Sequence, residues 1–242
     1  MGFRRYLQMK IVVFNGSPRG KESNSHKIVQ PLLDGAQQAG AQAEEIFLIE
    51  KNIEYCRGCF SCWGKTPGKC IINDDMEDLL NLFLESDYAG MATPVYGMYM
   101  TALLKNFTDR FLPLATPQIH KNEDGSFYHE GRVKRFPQQF FIANSGFPGE
   151  HNFNILIEIG KMQNFILEVY RNCGEVLSEP LENLPPYVSE NIKNFCDALR
   201  SAGRELVTNG KVAKDTVERI HQPLMSDEEY MAGANQQWDE QV

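Results

Sequence analysis

The segment MKIVVFN, residues 9–15, constrains the fold more than any other stretch of this chain. It is short, almost continuously apolar and ended by Gly16, as expected of a strand buried on both faces of a parallel sheet. A helical pattern follows, with Ile28, Val29, Leu32, Leu33 and Ala36 on one face and an end near Gly40. Pro31 lies inside it, which predicts a kink or a start further downstream.

The same alternation continues. Residues 43–50 and 88–96 read as strands, 73–86 and 98–111 as helices. Asp74 with Glu77 resembles a capping box at the start of the first of these helices. Residues 117–137 are polar and turn-rich, a loop or hairpin excursion. A fourth strand is expected at 138–144, helix across 152–170, a fifth strand at 174–180 and a closing helix at 189–206. The pattern predicts an α/β fold, a doubly wound parallel sheet in the flavodoxin-like order 2-1-3-4-5 with appended C-terminal helices. Residues 1–208 would form this domain, and residues 209–242 a helical extension packed on it or on a partner subunit. In such a sheet ligands bind beyond the carboxyl ends of the strands, at the switch between strands 1 and 3. The loops after residues 15, 50, 94 and 144 are therefore the candidates.

Charge narrows the function. A formal net charge of -8 disfavours nucleic acid, whose phosphates call for a basic face. No apolar run approaches the roughly 20 residues of a membrane span, and the N-terminus lacks a signal-peptide core. A soluble, cytoplasmic protein is the expectation, and a reducing compartment argues against a disulfide framework.

The loop NGSPRGKESNSHK, residues 15–27, joins strand 1 to helix 1. Gly16 and Gly20 permit tight turns, and Ser17, Ser23, Asn24 and Ser25 bring hydroxyl and amide groups to a helix start, where backbone amides favour an anion. Arg19 and Lys21 add charge. A capped helix after a glycine turn would read the same way. The loop matches neither the dinucleotide fingerprint nor the P-loop, which leaves a monophosphate as the candidate ligand.

NGSPR with the Ser-Asn-Ser cluster, TPVYGMYMTALLKNFTDRF after strand 3 and a compact cysteine run together resemble the NAD(P)H-dependent FMN reductases, and within them the iron–sulfur flavoproteins. The resemblance covers about residues 9 to 180. It implies that Ser17, Arg19, Ser23, Asn24 and Ser25 hold the FMN phosphate. Pro94, Val95, Tyr96, Gly97 and Met98 would run along the isoalloxazine ring, with Ser145 and Gly146 closing the third side. The residues alone also allow PVYGMYM to be a strand end packed into the core.

The cysteines are spaced Cys56-x2-Cys59-x2-Cys62-x7-Cys70. Three thiols fall within one irregular turn and a fourth returns seven residues later. Paired knuckles separated by a dozen or more residues are the usual zinc pattern, and this is not that pattern. The resemblance implies one [4Fe–4S] cluster on all four; zinc, a redox-active disulfide or a packed turn of buried thiols stay open on spacing alone. Cys173 and Cys196 read as buried thiols. His26 reads as a surface or packing residue, and no nucleophile–base set supports hydrolysis.

The resemblance implies an FMN-dependent NAD(P)H oxidoreductase that passes electrons to a quinone, flavin or protein acceptor. A cluster would make it a two-electron to one-electron converter, and a homodimer or homotetramer is expected. A plain NAD(P)H:quinone or FMN reductase without a cluster, and a non-enzymatic flavodoxin-type carrier, are the alternatives.

Overall fold

A computed structural model describes residues 8–240. Five parallel strands form the central sheet: β1 (Lys10–Asn15), β2 (Gln42–Phe47), β3 (Tyr88–Pro94), β6 (Gln138–Asn144) and β7 (Glu168–Arg171), in the order β2-β1-β3-β6-β7. A two-stranded antiparallel hairpin, β4 (Ala115–Lys121) with β5 (Phe127–Gly131), fills the turn-rich excursion. Counting only the parallel strands, the order is the expected 2-1-3-4-5.

Alternation along β1 shows how the layers are built. Ile11 and Val13 join one core with α1 (Asn24–Gln38) and α5 (Pro186–Asn209). Val12 and Phe14 join the other, with α2 (Met76–Glu85), α3 (Ala102–Asp109) and α4 (Asn154–Gln163). All four side chains are fully buried, which is why the run is continuously apolar. Ile220 of α6 (Lys214–Ile220) and the following Leu224 complete the first core, and α7 (Asp227–Asp239) follows.

Three expectations are corrected. The fifth strand is Glu168–Arg171; residues 174–178 form a 3-10 turn instead, because Cys173 is left-handed at φ 53° and the Gly174 amide bonds to the Ser145 carbonyl. Helix α4 ends at Gln163, stopped by left-handed Asn164 rather than running to residue 170. Helix α1 starts at Asn24, upstream of Pro31 and not downstream of it. Ser23 caps the first turn by accepting from the His26 amide, and burial of Ile28, Val29, Leu32 and Leu33 outweighs the one helical bond that Pro31 cannot donate.

No helix among the described residues is long and apolar enough to cross a membrane.

Candidate functional site

Backbone contacts fix the first loop at the switch point. The Gly16 amide bonds to the Ala92 carbonyl of β3, and Thr101, which caps α3, donates to the Gly16 carbonyl at 2.6 Å. A Cβ at Gly16 would stand 2.6 Å from Leu104 Cβ, so only glycine allows the loop to lie this close to α3. The Ser17 amide donates to Asn15 Oδ1 at 2.8 Å, and Asn15 Nδ2 donates to Glu45 at 2.7 Å. Glu45 also meets His26 Nδ1 at 2.6 Å. Burial pushes the Glu45 carboxyl up, against the lowering effect of these two partners. The Asn15–Glu45–His26 set joins β1, β2 and α1 behind the loop; it spans three distant segments and left no local signal in the sequence.

Ser17, Arg19, Ser23, Asn24, Ser25, Pro94, Val95 and Tyr96 line one narrow cavity of about 40 Å³ at the start of α1, together with Asn144, Gly146 and Glu175. Residues from three expected loops are thus brought together. Asn144 and Glu175 are additions that the sequence did not mark. Ser145 lies just behind, its hydroxyl accepting from the Phe147 amide and its own amide bonding to the Arg171 carbonyl. Gly97 and Met98 form the tip of a tight turn closed by reciprocal Tyr96–Tyr99 backbone bonds, both left-handed at φ 58° and 66°. Tyr96 and Met98 are exposed there.

Donor bookkeeping identifies the group suited to an anion. The Ser23 hydroxyl donates to the Gly20 carbonyl, and the Ser25 hydroxyl to Asn144 Oδ1 at 2.7 Å. Asn24 Oδ1 accepts from Ser178, but the buried Asn24 Nδ2 has no partner. A buried unspent amide donor is costly, and here it sits in the first turn of a helix whose amides lack intrahelical partners. Arg19 crosses the mouth to Glu175 at 3.3 Å. These residues fit a phosphate monoester.

An apolar cavity of about 440 Å³ lies elsewhere, between α3, α4 and the hairpin, lined by Tyr99, Met100, Phe111, Phe136, Phe141 and Phe165 among others. Although larger, with Lys105, Thr108, His129, Gln139 and Gln163 also in its lining, it shares no residue with the cradle that holds the partnerless Asn24 amide, and we assign the chemistry to the smaller cavity.

The cysteine loop leaves the carboxyl end of β2, on the same sheet edge. All six thiols are free. Cys62 is buried, Cys70 half-buried, and Cys56 and Cys59 are exposed; Cys173 is buried and Cys196 half-buried. Burial pushes the Cys62 thiol up, and the neighbouring thiols of Cys70, Cys59 and Cys56 add to it. No three His, Cys, Asp or Glu among the described residues are placed to hold one metal ion. By its chemistry, the all-thiol set of Cys56, Cys59, Cys62 and Cys70 is of the kind that holds iron–sulfur groups, with Cys62 buried and Cys70 half-buried.

The base of this loop corrects the capping-box expectation. Asp74 pairs with the buried Arg110 and accepts from the Glu54 and Met76 amides, whereas Glu77 is paired with Lys69 on the surface. Burial alone would raise the Asp74 carboxyl; the hydrogen bonds from Arg110 and the two amides reverse that and hold it below the ordinary carboxylate value. A depressed carboxyl contributes stability above its unfolded pKa and loses it as pH falls through the folded one. Asp74→Asn is therefore expected to cost about 3 kcal/mol at neutral pH. In urea titrations the gap to the parent should narrow only below about pH 4; a gap unchanged in acid would contradict the pairing.

Comparison with known proteins adds an independent line. Residues 9–123 match the model of the NADPH-dependent FMN reductase family. The chain is 41% identical over 105 residues to an iron–sulfur flavoprotein of Archaeoglobus fulgidus, a match spanning 43% of this chain and 46% of that relative. It is 32% identical over 148 residues to one from Methanocaldococcus jannaschii, covering 61% and 72%. Among solved structures, an FMN-dependent NADH-azoreductase from Bacillus anthracis in complex with FMN superposes with a TM-score of 0.59 at 18% identity, over 83% of this chain and all of that one. An NAD(P)H:quinone oxidoreductase from Methanothermobacter marburgensis gives 0.56 at 14% identity, over 82% and 97%. These two share the fold.

Proposed function

The chain belongs to the iron–sulfur flavoprotein family, and from that premise we propose that it is an FMN-dependent NAD(P)H oxidoreductase whose four-cysteine loop carries an iron–sulfur cluster. The observation that carries the flavin is the partnerless amide of Asn24, buried in an anion-suited cradle at the strand 1/strand 3 switch point. Asn24 and Arg19 would donate to the phosphate, with Ser17 and the first amides of α1 beside them. Ser23 and Ser25 spend their hydroxyl protons inside the protein, so their part is to hold the cradle's shape. The Tyr96–Tyr99 turn and Gly146 would border the ring. A Cβ at Gly97 would meet nothing within 4 Å, so backbone there is open to close approach.

Bound FMN supplies hydride acceptance and stepwise electron release, and a [4Fe–4S] cluster supplies one-electron exchange. Cys56, Cys59, Cys62 and Cys70 would hold the cluster. The acceptor would be a quinone, a flavin or a protein, and the active form a homodimer or homotetramer.

The test is an absorption spectrum of anaerobically purified protein, with flavin, iron, sulfide and zinc assayed on the same sample. The expected result is flavin plus about four iron and four sulfide per chain, with NAD(P)H oxidised in the presence of quinone or ferricyanide. Cys59→Ser should remove the iron and leave FMN. Flavin without iron would make this a plain flavin reductase, negligible NAD(P)H turnover would make it a carrier, and a colourless zinc protein would overturn the reading.

A further inference from the structure

Arg110 follows the last residue of α3, and its side chain is buried at 1% exposure. One guanidinium there meets four acceptors. Nη1 donates to the Glu54 carbonyl at 2.5 Å and to Asp74 Oδ2 at 2.6 Å; Nη2 donates to Asp74 Oδ1 at 3.0 Å and to Cys70 Sγ at 3.5 Å. Glu54 lies just before Cys56, and Asp74 just after Cys70. Both ends of the cysteine loop are thus tied to one side chain. A buried ion pair is weak evidence of stability, since desolvation offsets its attraction. A lysine cannot reproduce the fork, so the geometry suits a task of placement.

Helix α3 carries that task to the other site. Its first turn, through Thr101, holds the Gly16 carbonyl of the anion loop, and its last residue is followed by Arg110. Eight helical residues join the two.

We propose that Arg110 is a positioning residue of the cysteine site: it closes the base of the loop and, by donating to the Cys70 sulfur, raises the reduction potential of the iron–sulfur group held there. The inference rests on the cysteine reading above. A hydrogen bond from a cation stabilises the extra electron of the reduced group, and hydrogen bonds to ligand sulfurs are among the determinants of such potentials. Of the buried pair, it is the cation that touches sulfur. The couple takes one electron, with no bond made or broken; in the test dithionite supplies that electron.

The experiment compares the full-length parent with Arg110→Met and Arg110→Lys, all anaerobically reconstituted. Iron, sulfide and FMN are counted, and the cluster midpoint is followed by electron paramagnetic resonance, with the flavin midpoint as internal control. In Arg110→Met the one-electron reduction constant should fall about tenfold, 59 mV for one electron, with the flavin midpoint unmoved. Arg110→Lys keeps the buried charge, so it tests the same point if the methionine variant does not fold; pairing with Asp74 leaves it off the sulfur, and its midpoint should also fall. A folded variant that binds FMN but no iron supports the placement role. A variant with full iron and the parent's midpoint overturns the proposal alone, whereas an iron-free parent overturns it together with the cysteine reading.

Discussion

Asn24→Asp is expected to weaken FMN binding by two to three orders of magnitude while leaving riboflavin binding within about threefold of the parent. The substitution is nearly isosteric, and Asp keeps the oxygen that accepts from Ser178. What changes is the partnerless Nδ2, which becomes a negatively charged oxygen. A like charge about 4 Å from a phosphate costs roughly 4 kcal/mol at an effective dielectric of 20, and Arg19 and the helix amides screen part of it. About 3–4 kcal/mol is then two to three decades. Helix stability does not suffer, because a carboxylate in the first turn is favourable. Asn24→Ala, which only removes a donor, should cost about tenfold. Titrating deflavinated protein with FMN and with riboflavin, read by flavin fluorescence, checks both. Equal losses for the two ligands would mean that the cradle does not hold the phosphate.

The sequence was most legible where one short segment carries all the information. Residues 9–15 announce a doubly buried strand because both faces of β1 really are core. The residues 17–25 set and Pro94–Tyr96 converge because the switch point brings their loops together, and topology was readable from the strand–helix rhythm. Illegible were the contacts that only tertiary structure creates. Asp74 and Glu77 have the spacing of a capping box, yet the partner of Asp74 is Arg110, 36 residues away. Asn144 and Glu175 enter the cradle from the ends of other elements, with no local signature. Residues 174–180 looked like a strand from composition, but the chain had already left the sheet at Arg171 and turned back through Cys173. Pro31 misled in the opposite sense: a local rule lost to the burial of a whole helix face.

Gly203→Ala should lower stability by about 4 kcal/mol, although the same change in an ordinary helix interior is stabilising by up to about 1 kcal/mol. The opposed signs make this a sharp test of the α1–α5 contact. A Cβ at Gly203 would stand 1.9 Å from the Leu32 carbonyl oxygen, and one at Gly35 would stand 1.9 Å from that of Arg200. Each helix thus meets the other's backbone at a glycine, and neither obstacle is a flexible side chain that can turn away. To admit the methyl group the helices must separate by more than 1 Å, which loosens Leu32, Leu33, Leu199 and Leu206 together, all of them buried. Losses of that kind resemble those of a large-to-small core change, 2–5 kcal/mol. At roughly 2–4 °C per kcal/mol for a chain of this size, the midpoint should drop by about 8–16 °C in a thermal scan. Gly233→Ala in α7 is the control, since its Cβ would meet nothing within 4 Å; it should leave the midpoint unchanged or raise it. Because α1 carries the anion cradle at its N-terminus, Gly203→Ala should also weaken FMN binding, and saturating FMN should restore part of the lost stability by mass action. A midpoint that rises in Gly203→Ala would mean that the two helices do not meet at these glycines.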